Sequence, residues 1–461
     1  DSLTISVELV NRSSFPVKLQ QIRYSISLAD SLVQTDLQDN RVLNFKKKFI
    51  LTDNLPLSQP YWLNEEGTIG MFKVDNKDLI GKPENNPAIK IFFDLMVGDQ
   101  KFSLERPVVY KKTDPVAGEQ YRHLEIIPPV FINLKEQVFM FASDDQQVLE
   151  LGIRAGKANV KGDVKLKLAE GWKSEPDSHP ITLSTKGEEV SVFFNLFPPA
   201  NNRIDVITAS VSLEGQSFNK GYHSISYTHI PNQLLLPEAN IKAGRLDIQK
   251  RGQNIGYIMG AGDEVPSSLR QIGYKVTILN DGDITVNNLK KYDAVILGIR
   301  AYNTVNSLKF YQSTLFEYVN QGGNMIVQFN TSGGLLTNDI APYPLKISRD
   351  RVAVEDAPVR FLQPDHPVLN KPNKISSDDF EGWVQERGLY FAGEWDQNFQ
   401  AILSMNDPGE DPKEGSLLIA QHGKGFYIYT GLALFRQLSA GVPGAYRLFA
   451  NLISLEKEPK Q

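Results

Sequence analysis

The sequence predicts a multidomain chain of β plus α/β class, with two antiparallel β-sandwiches followed by an α/β domain on a mostly parallel sheet. Two observations carry this. Up to about residue 230, short runs alternate apolar and polar residues and are parted by Gly, Pro and Asn, as in half-buried strands joined by turns. Beyond residue 253 the pattern changes to nearly pure apolar runs, IGYIM (255–259), KVTIL (275–279), AVIL (294–297) and MIVQF (325–329), which suit parallel strands covered on both faces. A helical spacing precedes the last of these: in 305–321, Leu308, Tyr311, Leu315 and Val319 share a face, and Gly322 and Gly323 stop the helix.

The first domain, 1–118, opens on a strand with Leu3, Ile5, Val7 and Leu9 on one side and Thr4, Ser6 and Glu8 on the other. NRSSFP (11–16), DNLPLSQP (53–60) and GKPENNP (81–87) mark its turns. SQPYWL (58–63) sets Tyr61 and Trp62 in a Pro-led turn, either a plug at the sandwich edge or a surface on which sugar stacks. VVYKKTDPVAGEQYR (108–122) reads as a last strand and a linker, broken at Asp114, Pro115 and Gly118.

The second domain, 119–236, has six strand-like runs and about the size of an immunoglobulin-like sandwich, with Trp172 as a core cap. Tyr222, His223, Tyr227 and His229 alternate on its final strand, a half-buried polar strand or a binding face. A Pro-bounded bridge, PNQLLLPEANIK (231–242), leads into the α/β domain, 237–461. That domain continues through PDHPVLN (364–370) and DDFEGWVQERGLYFAGEWD (378–396) to two strands joined by QHGKG (421–425). A closing helix at 443–455 and the charged tail EKEPKQ (456–461) complete it.

Composition narrows the function classes. A formal charge of −5 gives no reason to expect nucleic acid as a partner, and no apolar run approaches the ~20 residues of a membrane span. The start, DSLTISVELV, alternates like a strand and is no signal segment; a chain beginning at Asp1 is expected to be a processed product or an excised piece. With no cysteine, disulfides, thiolate metal sites and cysteine nucleophiles are excluded. The six histidines show neither HxxxH nor HxH spacing, so no metal or cofactor is expected.

Candidate chemistry gathers in loops that leave the carboxyl ends of the apolar strands, GAGDEVP (260–266), GIRAYN (298–303) and NTSGG (330–334). The first has two glycines of a dinucleotide fingerprint, and Asp281 follows about twenty residues on; Val265 replaces the third glycine. Asp263 and Glu264 place negative charge where phosphate would bind, and are expected to cap the helix instead. Ser332 stands at the position of a nucleophile elbow but lacks the GxSxG sequence. With Asp365 or Asp378 and His366 or His422 it defines the alternative reading, a serine-type hydrolase acting on a carbohydrate ester. Glu381, Trp383, Glu386, Glu394, Trp395 and Asp396 form an acidic, aromatic stretch suited to a carbohydrate cleft, and Asn11 and Asn330 begin chance-level glycosylation sequons.

YDAVILGIRAYN, NMIVQFNTSGG, PDHPVLN and GKGFYIYTGL resemble the class I glutamine-amidotransferase-like fold, a flavodoxin-like α/β arrangement, in the branch near the ThuA-like proteins. The resemblance covers about the last 210 residues. Members with glutaminase activity carry a cysteine where Asn330 and Thr331 stand here, and a histidine where Leu432 and Ala433 stand, so amidotransferase chemistry is not expected. The order SQPYWL, VVYKKTDPVAGE, second sandwich and α/β domain is similar to the region following the catalytic domain in Bacteroidetes-type PIG-L (LmbE-like) deacetylases. That resemblance implies an exported, periplasmic or cell-surface protein whose zinc-dependent sugar N-deacetylase domain lies upstream in the same polypeptide.

The sequence reading is therefore a non-catalytic accessory region that binds a glycan or small carbohydrate, or scaffolds an oligomer, with no catalytic residue assigned. Its expected pocket is formed by Gly262, Glu264, Arg300, Asn303, Asn330 and Thr331, with Trp383 and Glu394 as walls.

Overall fold

The computed structural model describes residues 2–51, 55–68 and 70–457. Asp53 and Asn54 of the turn read at 53–60, and the tail beyond 457, lie outside them. The chain is a multidomain, mostly β protein.

Its first unit packs the antiparallel pair Ser2–Val10 and Val42–Ile50 against a four-stranded antiparallel sheet that includes Val17–Tyr24 and Lys90–Val97. The inward alternation Ile5, Val7, Leu19, Ile22, Ile91, Phe93 and Leu95 makes one core from both layers. The segment read as a linker is folded: Val109–Asp114 and Gly118–His123 pair as an exposed hairpin. Asp114 Oδ1 accepts the Val116 and Ala117 N–H groups, and Gly118, at φ +74°, turns the chain back.

The second unit is a sandwich of a six-stranded and a four-stranded sheet around Ile132, Phe141, Leu151, Phe194 and Val211. Trp172 caps this core as read: it is buried, lies edge-on to Phe141, and donates Nε1–H to Asp205 at 2.8 Å. Two local readings change. The expected final strand is cut to His223–Ile225, leaving Tyr227 exposed, because pairing there is limited to Gln233–Leu235. The bridge is shorter than its prolines imply, since Asn240–Arg245 joins the six-stranded sheet between Arg203–Leu213 and Val138–Phe141.

The third unit carries a seven-stranded sheet. In spatial order its strands are Lys275–Ile278, Asn254–Ile258, Ala294–Leu297, Asn324–Gln328 and Gly425–Thr430, all parallel, then Leu417–His422 and Phe399–Ala401, antiparallel. Pure apolar runs are required because both faces are covered. Ala294 and Ile296 face one core with the helix Pro443–Ser454, while Val295 and Leu297 face the other with Gln312–Asn320. The helix expected over 305–321 breaks at Tyr311 into a 3₁₀ turn, Asn306–Phe310, and Gln312–Asn320.

Candidate functional site

The three loops of the expected pocket do meet at the carboxyl rim of the parallel strands. Ala261 N–H donates to Ile299 O and Arg300 N–H to Phe329 O, both at 2.8 Å. Gly260 must be glycine, since a Cβ there would lie 2.1 Å from Ile299 O. Asp263 is the clasp: its carboxylate accepts the Tyr257 hydroxyl at 2.6 and 2.7 Å, Val265 N–H at 3.1 Å and Ile299 N–H at 3.2 Å. Burial and the neighbouring Asp263 charge raise Tyr257 well above its ordinary pKa, so its hydroxyl stays a donor. Asp263 thus supplies the expected cap; Glu264, at the cap position, makes no side-chain cap bond.

The polar groups expected to face a ligand hold the rim together instead. Asn330 is fully enclosed, its Oδ1 accepting Tyr302 N–H and its Nδ2 donating to Gln328 O. Asn303 Oδ1 accepts Thr331 N–H, and its Nδ2 donates to Thr331 O and Gly333 O. Thr331 Oγ1 donates to Gly333 O. Arg300, in a left-handed conformation at φ 56°, and Gly262, at φ +100°, are exposed on this rim. Hydrogen-bonding capacity read as open in the sequence is mostly consumed by loop-to-loop bonds.

The proposed walls are elsewhere. Trp383 is buried, stacked on Phe380 at 5.3 Å, covered by the Arg387 guanidinium, and donates Nε1–H to Asp379 O. Glu394 is paired with Lys346 at 2.8 Å on an open groove with Trp395 and Asp396. The acidic, aromatic stretch is therefore split, because its middle turns into the core and its end runs out along the strand Ala392–Trp395.

The serine triad is not assembled. Ser332 follows the carboxyl end of Asn324–Gln328, whereas His366 lines a cavity with Phe426 and Leu455 at the amino end of the same sheet. His422 pairs with Gly425 at that amino end too. A strand of five residues separates the groups by roughly 13 Å or more. Among the described residues, no three histidine or acidic side chains gather as a metal site. Both sequon asparagines are buried and hydrogen bonded, Asn11 to Phe15 O and Leu37 O.

A cavity with convergent apolar and polar groups lies instead where the first two units meet. It encloses about 250 Å³ between the segment 56–88, the stretch 123–125 and the strand Gln233–Leu235. Tyr61 and Trp62 form an edge-to-face pair at 4.9 Å within it. Asn85 fixes this turn, accepting Tyr61 N–H and donating to Gln59 O, and the Tyr61 hydroxyl donates to Lys82 O. Ser58 exchanges two 2.8 Å bonds with Ile126, and Gln59 Oε1 accepts Leu236 N–H, so the aromatic turn is pinned to the second sandwich. Glu84 with His123 (2.8 Å) and Glu125 add polar groups to the wall. SQPYWL was the local signal for this cavity; Glu84, His123, Glu125 and Asn232 come from segments that no motif linked.

No protein-family model and no curated protein matches the sequence. Among solved structures, a cold-adapted β-galactosidase from Rahnella sp. R3 is similar at 13% identity and a TM-score of 0.28, over 46% of this chain and 32% of its own. An exo-β-1,4-mannosidase from Opitutaceae bacterium strain TAV5 is similar at 10% identity and 0.28, over 44% and 36%. The α-2-macroglobulin of Escherichia coli, from domain MG7 to its C-terminus, is similar at 17% identity and 0.19, over 27% and 18%. The chain thus spans 36% or less of each of these proteins.

Proposed function

We propose that the chain is a non-catalytic accessory region that binds carbohydrate, and that the sugar seats in the cavity between the first two units, against Tyr61 and Trp62. The observation that carries this reading is the pairing of a pinned aromatic turn with carboxylates and amides in one concave site. Aromatic faces take the C–H surface of a pyranose, and carboxylates accept its hydroxyl protons. The biological setting we propose is the region after a PIG-L-type deacetylase domain of an exported protein, with a third unit of amidotransferase-like fold. Five parallel strands covered on both faces support the fold. At the positions where the family's cysteine and histidine would stand are the enclosed Asn330, Thr331 with its hydroxyl bonded to Gly333 O, and the buried Leu432 and Ala433, none of them a cysteine or a histidine.

Calorimetric titration of the whole chain with neutral, amino and uronate oligosaccharides tests the binding claim. Binding that is lost in Trp62→Ala with unfolding behaviour unchanged is the expected result. No heat with any saccharide at millimolar concentration would overturn it.

A further inference from the structure

A second cavity, of about 290 Å³, abuts the first and shares with it the wall 123–125. Its character is opposite. Among the described residues, the first is lined by Glu84 and Glu125 with no lysine or arginine, whereas the second brings together Arg122, Arg154 and Lys186 with Glu125 as the one carboxylate of its lining. Three cations, less Glu125 on the wall and Glu189 paired with Arg154, leave a local excess of one positive charge, on a chain whose formal charge is −5. Composition alone would not place cations here.

The two arginines are held in place and only loosely paired. The Arg154 guanidinium lies 4.5 Å from the centre of the Tyr222 ring, which is set edge-on to buried Phe131 at 5.0 Å. The ion pairs of Arg154 with Glu189 (3.5 Å) and Arg122 with Glu125 (3.7 Å) are longer than hydrogen bonds. A guanidinium held over a ring, at more than hydrogen-bond distance from its carboxylate neighbour, is suited to a planar or tetrahedral oxyanion. The wall behind it is stiff: Gly156 N–H donates to Pro129 O and Gly187 N–H to Ala155 O, both at 2.8 Å.

We infer that the two cavities are one bipartite site for an anionic saccharide, with a sugar ring on Tyr61 and Trp62 and its carboxylate or sulfate on Arg154 and Lys186. The inference rests on the carbohydrate reading above and names the ligand class. It is tested by calorimetry on the full chain with three disaccharides of one scaffold, neutral, carboxylated at C6 and sulfated at C6. The anionic forms are expected to bind about tenfold or more tightly than the neutral one at low salt, with the advantage shrinking as salt rises. Comparing the carboxylated and sulfated arms identifies the preferred oxyanion. Lys186→Gln, in an exposed turn, and Arg154→Gln are each expected to lower the anionic-to-neutral affinity ratio several-fold.

Equal affinity for all three disaccharides overturns the anionic subsite and leaves the carbohydrate reading standing. An anionic preference unchanged in Lys186→Gln and Arg154→Gln overturns the placement of the oxyanion. Binding of none of the three removes the carbohydrate reading as well. Should Arg154→Gln not fold, Lys186→Gln decides alone.

Discussion

Asn330 and Tyr302 are joined across the rim of the parallel sheet, the Asn330 Oδ1 accepting the Tyr302 N–H at 2.8 Å while Nδ2 donates to Gln328 O at 2.9 Å. An amide fits because this position needs one acceptor and one donor on the same enclosed side chain. Asn330→Ala is expected to cost about 1–3 kcal/mol by leaving the Tyr302 N–H unsatisfied. Asn330→Asp should cost more, since a buried carboxylate would face the Gln328 carbonyl. Urea unfolding measures both. An Asn330→Ala protein as stable as the parent, but weaker in saccharide binding, would return this amide to the ligand.

Trp383 and Glu394 separate the two kinds of residue that the acidic, aromatic stretch combined. Trp383→Ala removes a buried ring and is expected to cost about 3–5 kcal/mol without altering saccharide affinity in the protein that remains folded. Glu394→Gln breaks a pair in which both side chains are 73% exposed, and stability should move by no more than about 0.5 kcal/mol. A loss of binding in either variant would contradict the location of the site.

His366 stands at the cap of the short helix Pro367–Asn370, where its Nδ1 accepts Val368 N–H at 3.1 Å. That bond requires a neutral ring, and burial lowers the His366 pKa from its ordinary value. Below the ordinary histidine value the unfolded chain takes up the proton first. The stabilisation is therefore complete above that value and is lost as pH falls through the window beneath it. Thermal unfolding from about pH 7 to about pH 5 should show a steeper loss for the parent than for His366→Asn, which keeps an acceptor that does not titrate. Parallel profiles would show that the ring is not held neutral.

Gly444 lies at the start of the closing helix with Asp379 directly above it, and an added Cβ would sit 1.9 Å from Asp379 O. Gly444→Ala is expected to destabilise by roughly 1–3 kcal/mol, despite alanine's better helix propensity, because the segment Ser377–Phe380 must be pushed away. A stabilised variant in chemical denaturation would show that this contact is looser than the geometry indicates.

Ser332 and His366 lie at opposite ends of one sheet, so fluorophosphonate treatment is expected to leave Ser332 unlabelled at neutral pH. Labelling that disappears in Ser332→Ala would restore the hydrolase reading.

The kind of each element and its place in the order are legible from the residues alone. Period-two alternation from Leu3 onward and the pure runs at 255–259, 294–297 and 325–329 follow from which faces are buried, a property each strand carries locally. Turn chemistry was legible only as a break: the sequence marks Asp114 and Pro115 as interrupting regular structure, while the Asx turn there and the cap at His366 are seen in the structure. Which polar groups remain available depends instead on how distant segments pack. Asn303 binds Thr331 and Asn330 binds Tyr302 across segments 28 residues apart, and Trp383 is taken into the core by Phe380 and Arg387. The cavity at Tyr61 and Trp62 draws its walls from segments up to about 180 residues apart. Periodicity reports burial of a face; it carries no information on which distant chain supplies the cover, and that is what separates a satisfied side chain from one left to meet a ligand.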